Sequence, residues 1–205
     1  HGKSSVTHKN FTLDELVLDL ERIREKTKFK KAHFAGHSLG GMIAPAYALK
    51  FPDHVISVGL LSTVAGRSEE DSKKVWNVIK EMENNGIEKT LQTLTTRWFT
   101  DEFININPDL VKRRLKQVVD TDPEVFLNVF KIYAKTEMLP WLKNISKPCL
   151  LLTGEHDGGC SPKHNEIMAN EIKDSKLVIL PKYKHSFLIE APNEVAESLI
   201  EFINE

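Results

Sequence analysis

Cysteine is scarce in this chain of 205 residues, where only Cys149 and Cys160 are present. Cys149 lies within an apolar run, where a thiol acts as a small buried hydrophobic group. Two cysteines do not make the disulfide framework of a small secreted protein, and their positions do not match a zinc site. The cysteine content therefore favours a reducing compartment, and we expect a cytoplasmic protein that binds no metal.

Long apolar runs are also missing. No stretch approaches the roughly 18 consecutive apolar residues that a membrane-spanning helix requires. The first ten residues, HGKSSVTHKN, lack the apolar centre of a signal peptide. The sequence therefore predicts no contact with a membrane.

The chain has no excess of charge of one sign. Lysine and arginine together number 28, aspartate and glutamate number 29, and the formal net charge is -1. Such a mixed distribution offers no basic face that would neutralise a row of phosphates. We therefore expect a small-molecule substrate as the binding partner and exclude nucleic acid.

Strand-like and helix-like apolar patterns alternate at both ends of the chain. The patterns predict strands near residues 31–36, 55–63, 147–154 and 175–181, with helices before, between and after them. Between residues 66 and 145 the patterns are helical and rich in charge. Alternating strands and helices are typical of a parallel sheet flanked by helices, which is an α/β fold. We expect residues 1–65 and 146–205 to form this core and residues 66–145 to form an inserted helical cap.

A Gly-x-Ser-x-Gly sequence lies where a predicted strand turns into a predicted helix. It consists of Gly36, Ser38 and Gly40, and Gly41 follows directly. Glycines on both sides of a serine allow a turn too tight for other side chains, because glycine adopts positive φ freely and lets backbone segments approach closely. A strand, a sharp turn and a helix are the context in which such a serine acts as a nucleophile.

Two further polar residues follow predicted strands. Asp157 comes after the third predicted strand in GEHDGG, and His185 comes after the fourth in PKYKHSFLIEAP. Ligands bind at the carboxyl edge of open α/β sheets, where both residues are expected. The order Ser38, Asp157, His185 is that of a catalytic triad on such a sheet. We expect the three side chains to converge, with the His185 ring within hydrogen-bond reach of both partners.

Three segments resemble the α/β-hydrolase superfamily when taken in order: GHSLGG, LLTGEHD and HSFLIEAP. Within the insertion, RWFTDEF followed by NPDLV is similar to the 3-oxoadipate enol-lactonase group. The resemblance implies an α/β-hydrolase fold with Ser38 as nucleophile, Asp157 as acid and His185 as base. It also implies that the backbone N–H of Leu39 is one oxyanion donor, and that a small carboxylic ester or lactone is hydrolysed without a cofactor.

Two alternative functions stay open at this point. A hydrolase of carbon–carbon bonds in ring-cleavage products would use the same triad, and a non-catalytic binding module would keep the pocket without turnover. Serine at position 38 counts against haloalkane dehalogenases and epoxide hydrolases, whose members carry aspartate there.

Several neighbouring residues need a function or an ordinary structural explanation. Glu155 lies close enough to Asp157 to compete for the role of the acid. We expect His37 to pack and hydrogen-bond beside the serine turn. His156 and His164 flank Asp157, but their spacing crosses a predicted loop and the start of a helix, which does not favour a metal site.

Two features of the insertion are candidates for contact with the substrate. Trp98 lies in the lactonase-like segment and is the residue we expect to contact substrate. The run KRRLK at residues 112–116 is most simply a solvated helix face, although an arginine within it could bind a substrate carboxylate.

The beginning of the chain resembles an interior segment of the family. HGKSS is similar to the loop that follows the family's fourth strand, so the preceding strands and the second oxyanion donor are expected outside this sequence. We therefore expect residues 32–36 to pair with strands on both sides. The missing partner would come from a preceding segment, a separate chain or a second copy in a homo-oligomer.

Overall fold

A computed structural model describes residues 4–5 and 9–205. Within these residues, four strands form one sheet: β1 (Ala32–His37), β2 (Val55–Leu61), β3 (Cys149–Gly154) and β4 (Ser175–Leu180). The α-helices of the same residues are α1 (Leu13–Thr27), α2 (Gly40–Lys50), α3 (Glu69–Asn85), α4 (Ile87–Trp98), α5 (Asp101–Ile106), α6 (Pro108–Val119), α7 (Pro123–Lys135), α8 (Leu139–Leu142), α9 (Pro162–Glu171), α10 (Phe187–Glu190) and α11 (Pro192–Asn204). A short 3-10 helix covers Pro52–His54.

The first helix shows how local sequence sets an element boundary. The Thr12 hydroxyl accepts the Glu15 backbone N–H, and the Glu15 carboxylate accepts the Thr12 backbone N–H, which forms a complete capping box. Lys28 ends the helix in the left-handed conformation, with φ of 61°. The helix bounds therefore agree with the apolar pattern and the capping residues of the sequence.

All four strands are parallel and lie in the order β1-β2-β3-β4. The predicted parallel sheet flanked by helices is therefore confirmed. Both faces of β3 are buried, because Leu151 packs in one core cluster while Leu150 and Leu152 pack in the other. Continuous burial explains why β3 has an unbroken apolar sequence rather than an alternating one.

Helices cover the two faces of the sheet with separate cores. On one face, Val17 of α1 and Met42 of α2 join Val58 and Leu151 in the larger cluster. On the other face, Val195 of α11 packs with Leu150, Leu152 and Phe187. The helices between β2 and β3 have a third cluster of their own, with Met82, Leu91, Leu94 and Val118 buried in it.

Strand β1 lies at one edge of the sheet, and it contains residues 32–36, which were expected to pair with strands on both sides. Among the described residues, β1 pairs with β2 alone, and its other edge has no partner strand. The second partner therefore stays a prediction. The HGKSS resemblance that motivates it falls largely on residues 1–3, which lie outside the described residues. The helices found in residues 4–5 and 9–205 are all too short or too polar to span a lipid bilayer.

The turn from β1 into α2 depends on the close approach of two backbone segments. A Cβ on Gly36 would lie 2.1 Å from the carbonyl oxygen of Gly40, much closer than any real Cβ contact. Only glycine fits at position 36 while helix α2 begins directly beside the end of the strand.

Replacement of Gly36 should therefore damage the turn, whereas replacement of Gly40 should not. We expect Gly36→Ala to lower the melting temperature by roughly 5 °C or more, because overpacking costs about 2 kcal/mol and each kcal/mol shifts Tm by about 2–4 °C in a chain of this size. Gly40→Ala is the matched control, since a Cβ there meets no atom within 4 Å. Equal melting curves for the two variants in calorimetry would contradict the close approach.

Candidate active site

Ser38 occupies the turn between β1 and α2. Its backbone is left-handed, with φ of 57°, and its N–H donates to the Leu61 carbonyl of β2 at 2.9 Å. This conformation is uncommon for a residue with a Cβ and costs on the order of 1–3 kcal/mol. The turn places the half-buried Ser38 at the amino end of α2, where backbone N–H groups lack helical partners. The N–H of Leu39 is one such group, with no hydrogen-bond partner among the residues that the structure describes.

Asp157 lies in the turn that follows β3 and is almost completely buried, with 2% of its surface exposed. The backbone N–H groups of Gly159 and Cys160 donate to its Oδ1 atom at 3.0 and 2.8 Å. The turn therefore fixes one carboxylate oxygen and directs the other, Oδ2, toward the carboxyl edge of the sheet.

His185 lies in the loop that connects β4 to α10. Its Nδ1 atom is 2.8 Å from Oδ2 of Asp157. The loop crosses directly over Gly154 at the end of β3, where a Cβ would lie 2.4 Å from the Tyr183 carbonyl oxygen. Because Gly154 has no side chain, the histidine loop can pack directly against the end of the strand that precedes Asp157.

Burial and pairing act in opposite directions on the charges of Asp157 and His185. Burial raises the pKa of Asp157, but the positive charge and hydrogen bond of His185, with further hydrogen bonds from Ser62 and the Cys160 N–H, leave that pKa below its usual range. Burial lowers the pKa of His185, but the charge and hydrogen bond of Asp157 outweigh it and raise the pKa. The pair therefore favours an ionised carboxylate beside an imidazolium.

His37, the residue before Ser38, supports the histidine loop. Its Nε2–H donates to the His185 backbone carbonyl at 2.8 Å, and its ring lies edge-on to Phe187. Burial, followed by the charge of His185, lowers the pKa of His37 to about 3. His37 is therefore neutral and links the end of β1 to the loop after β4. It packs and hydrogen-bonds beside the serine turn, as expected.

The structure thus brings the three predicted residues to one edge of the sheet. Asp157 and His185 are hydrogen-bonded, and the His37–His185 contact places the His185 loop beside Ser38. Within residues 4–5 and 9–205 no hydrogen bond joins the Ser38 hydroxyl to His185. The Nδ1 atom of His185 is occupied by Asp157, so Nε2 is the nitrogen that is available to a serine.

Ser62 is a member of this cluster that the sequence patterns did not reveal. It follows β2, has φ of 46° and is fully buried. Its hydroxyl donates to Oδ2 of Asp157 and lies 3.1 Å from Nδ1 of His185. The available signal was its position near the carboxyl end of the second predicted strand, residues 55–63, at the edge where Asp157 and His185 were also expected.

Glu155 does not compete with Asp157 for the histidine. It is exposed, and its carboxylate accepts the Lys182 backbone N–H at 2.8 Å. Glu155 therefore braces the start of the histidine loop from outside, while Asp157 contacts the imidazole.

Asp157, Cys160 and His185 are the described residues whose donor atoms come near enough together to be considered for a metal. Burial raises the pKa of Cys160, which keeps the thiol protonated and unlike a metal ligand. Both oxygens of Asp157 already accept hydrogen bonds. The cluster is therefore suited to holding an imidazole rather than a cation. His156 and His164 do not join it, since His156 is exposed and His164 lies 3.6 Å from Asp71.

The junction between α4 and α5 contacts the histidine loop and the helix that follows it, α10. The Trp98 carbonyl accepts the Ser186 N–H at 2.8 Å, and the Glu190 carboxylate accepts the Thr100 hydroxyl at 2.5 Å. The Trp98 side chain packs against the core of the inserted helices. Its contact with a substrate stays a prediction.

Arg114 on α6 is a half-buried cation within the run KRRLK. In the described part of the chain its guanidinium has no hydrogen bond or ion pair. Burial lowers the pKa of Arg114. The charge of Arg114 also lowers the pKa of His37, although less than burial and the charge of His185 do. The guanidinium thus acts electrostatically on the residue that precedes Ser38.

Comparisons with known proteins agree with this architecture. Residues 1–192 match the sequence profile of the alpha/beta hydrolase fold family. The chain is 28% identical over 204 residues to 3-oxoadipate enol-lactonase 1 of Acinetobacter baylyi, covering 99% of this chain and 75% of that protein. It is 26% identical over 208 residues to 3-oxoadipate enol-lactonase 2 of the same organism, covering 100% and 76%.

A solved structure has the same fold. The enol-lactonase from Burkholderia xenovorans LB400 superposes with a TM-score of 0.91 at 23% identity, over 100% of this chain and 78% of that chain. With the parallel sheet, the left-handed serine turn and a profile match over most of its length, the chain belongs to the alpha/beta hydrolase fold family.

Proposed function

We propose that this hydrolase cleaves a small carboxylic ester or lactone through an acyl-enzyme formed on Ser38. The observation that carries the proposal is the Asp157–His185 hydrogen bond at the sheet edge where the left-handed turn presents Ser38. A serine hydroxyl is a weak nucleophile until an imidazole accepts its proton, and a carboxylate on the far nitrogen orients that imidazole.

In the proposed reaction, the Ser38 oxygen attacks the carbonyl carbon while Nε2 of His185 takes the hydroxyl proton. The negative oxygen of the tetrahedral intermediate lies at the Leu39 N–H, at the amino end of α2. Collapse breaks the bond to the leaving oxygen, which receives the proton from His185. Water then attacks the acyl carbon, gives one proton to His185 and releases the acid, and His185 returns a proton to Ser38. The Ser38–His185 contact that these steps need is one that often tightens only when substrate is bound.

Arg114 and the relatives together favour an anionic lactone as the substrate. The Arg114 guanidinium is half-buried and has no partner in residues 4–5 and 9–205, which suits it to a carboxylate bound through two parallel hydrogen bonds. The relatives named 3-oxoadipate enol-lactonase point to a lactone derived from a dicarboxylic acid. We therefore place the free carboxylate of such a lactone at Arg114, with its ring carbonyl at Ser38 and its hydrophobic part near Trp98.

Loss of Ser38 or of His185 should abolish turnover to a similar extent. We expect Ser38→Ala, His185→Ala and the double variant each to lower kcat for p-nitrophenyl acetate by about 10⁴- to 10⁶-fold, because the two residues act as one unit. The exposed His156 offers the matched control His156→Ala, which should keep normal kcat. A fluorophosphonate probe should label the wild type and not Ser38→Ala. An unlabelled wild type would support the binding-module alternative, and additive losses would point to another base.

The pH profile should reflect the raised pKa of His185. His185 must be neutral to accept the Ser38 proton, so kcat/KM should rise with pH through a midpoint above about 6.5, the usual pKa of histidine. In Asp157→Asn the attraction is lost while burial remains, so the midpoint should fall and the rate should drop. The measurement is kcat/KM of a neutral ester from pH 5 to about 10, and a wild-type midpoint at or below about 6.5 would contradict the assignment.

Removal of the Arg114 charge should discriminate between anionic and neutral substrates. We expect Arg114→Gln to raise KM for 3-oxoadipate enol-lactone by about tenfold or more, because hydrogen bonds to charged groups contribute about 1.5–3 kcal/mol. KM for p-nitrophenyl acetate should not change. Arg113→Gln is the control, because Arg113 is the exposed neighbour on the same helix. The proposal that Arg114 binds the substrate would be contradicted if both variants changed KM equally. It would also be contradicted if Arg114→Gln changed KM equally for the two substrates.

A further inference from the structure

Ser62 has a backbone conformation that is costly for serine. It is the first residue after β2, and its N–H donates to the Leu152 carbonyl of β3 at 2.8 Å. Its φ of 46° lies in the left-handed region, where glycine would carry no strain. Position 62 nevertheless carries a side chain, which is fully buried and contacts Asp157 and His185 of the candidate active site.

The Ser62 hydroxyl completes the hydrogen bonding of Asp157. Oδ1 of that carboxylate accepts two backbone N–H groups, from Gly159 and Cys160. Oδ2 accepts Nδ1–H of His185 and the Ser62 hydroxyl. A carboxylate has about four acceptor sites, so this arrangement leaves none of them unused.

The proton assignments within the cluster follow from the chemistry of the groups. Ionised Asp157 can only accept, so both Ser62 Oγ and His185 Nδ1 must direct their protons to it. The remaining lone pairs of Ser62 Oγ then face Nδ1–H at 3.1 Å. Ser62 therefore accommodates His185 with the proton on Nδ1, and Nε2 is left as the basic nitrogen.

The backbone on either side of this contact is clamped. Nδ2 of the fully buried Asn165 donates to the carbonyls of Cys160 and Ser161 at 3.0 and 3.1 Å and lies 3.4 Å from the Thr63 carbonyl. Asn165 thus ties the residue after Ser62 to the turn after Asp157. The position of the hydroxyl relative to the carboxylate is therefore set by two strands and a helix.

Ser62 does not serve as a second nucleophile, because it is fully buried and faces the nitrogen of His185 that Asp157 occupies. We propose that Ser62 is a positioning residue, which orients the Asp157 carboxylate and through it holds His185 in the Nδ1–H form. This inference rests on the proposed function, since it assigns the residue that prepares the base of that reaction.

Two variants separate the hydroxyl from the strained backbone. Ser62→Ala removes the hydroxyl and keeps the Cβ, whereas Ser62→Gly removes both and relieves the strain. We expect both to lower kcat for p-nitrophenyl acetate by about tenfold at unchanged KM. Ser62→Gly should nonetheless melt roughly 2–4 °C above Ser62→Ala. Lys28→Gly is the matched control, because Lys28 is an exposed left-handed residue at the end of α1, and its kcat should equal that of the wild type.

Proton NMR supplies a measurement that does not depend on turnover. The wild type should show a far-downfield Nδ1 proton resonance, assigned by its loss in His185→Gln, and Ser62→Gly should broaden it through faster exchange with water. The proposal would be overturned if Ser62→Gly had the kcat of the wild type and an unchanged resonance. It would also be overturned if kcat fell only in Ser62→Ala and fell in proportion to the stability lost by that variant. If the wild type neither hydrolyses the ester nor reacts with a fluorophosphonate, the proposed function fails, and the resonance still tests the positioning by Ser62.

Discussion

Parallel pairing of the four strands is the constraint on which the candidate active site depends. Because the strands run in one direction, their carboxyl ends meet at one edge of the sheet, and the hydrogen-bond ladder continues one residue beyond three of them. Ser38 donates to Leu61, Ser62 donates to Leu152, and Glu155 donates to Leu180. These bonds align the turns after β1, β2 and β3, so that polar residues far apart in the sequence become neighbours. Ser62 and Asp157, which are in direct contact, are 95 residues apart.

Burial of a charged pair at this edge sets a second constraint. An ionised carboxylate is expensive to remove from water unless its oxygens accept hydrogen bonds and a positive group lies nearby. Asp157 meets these conditions through two backbone N–H groups, one hydroxyl and one imidazole. The same donors that make burial tolerable also orient His185. Stability of the edge and preparation of the proposed base therefore rest on the same contacts.

The histidine loop is held from two directions, which links the inserted helices to the sheet. From the core side, the His156 N–H donates to the Tyr183 carbonyl at 2.9 Å where the loop crosses Gly154. From the side of the insertion, Lys184 donates to the Thr96 carbonyl at 2.8 Å, and the Trp98 carbonyl accepts the Ser186 N–H at 2.8 Å. The insertion thus contacts the loop that carries His185 as well as having a core of its own. The division of the chain into a core and a cap remains a proposal that these contacts support.

Local signals account for the part of the structure that could be predicted from the sequence. The capping residues of α1, the apolar runs of β2 and β3 and the glycines around Ser38 act over a few residues, and the predicted elements agree with the observed ones. The short helices α5, α8 and α10 were not predicted, because four to six residues are too few to show a helical period.

Some features of the candidate site could likewise be inferred from the sequence, and others could not. The parallel α/β class and the chain order of Ser38, Asp157 and His185 could be inferred without a structure, because buried strands and glycine-rich turns are recognisable from neighbouring residues. The fold alone shows that Ser62 reaches Asp157, that Glu155 points outward and that Arg114 is half-buried with no partner among the described residues. Each of these outcomes depends on strand register and helix packing between segments distant in sequence. The position of Ser62 also depends on a left-handed backbone conformation, which the residue type serine does not predict. The functions proposed for the side chains of Ser62 and Arg114 depend on the residues packed around them, and that environment does not exist before the chain folds.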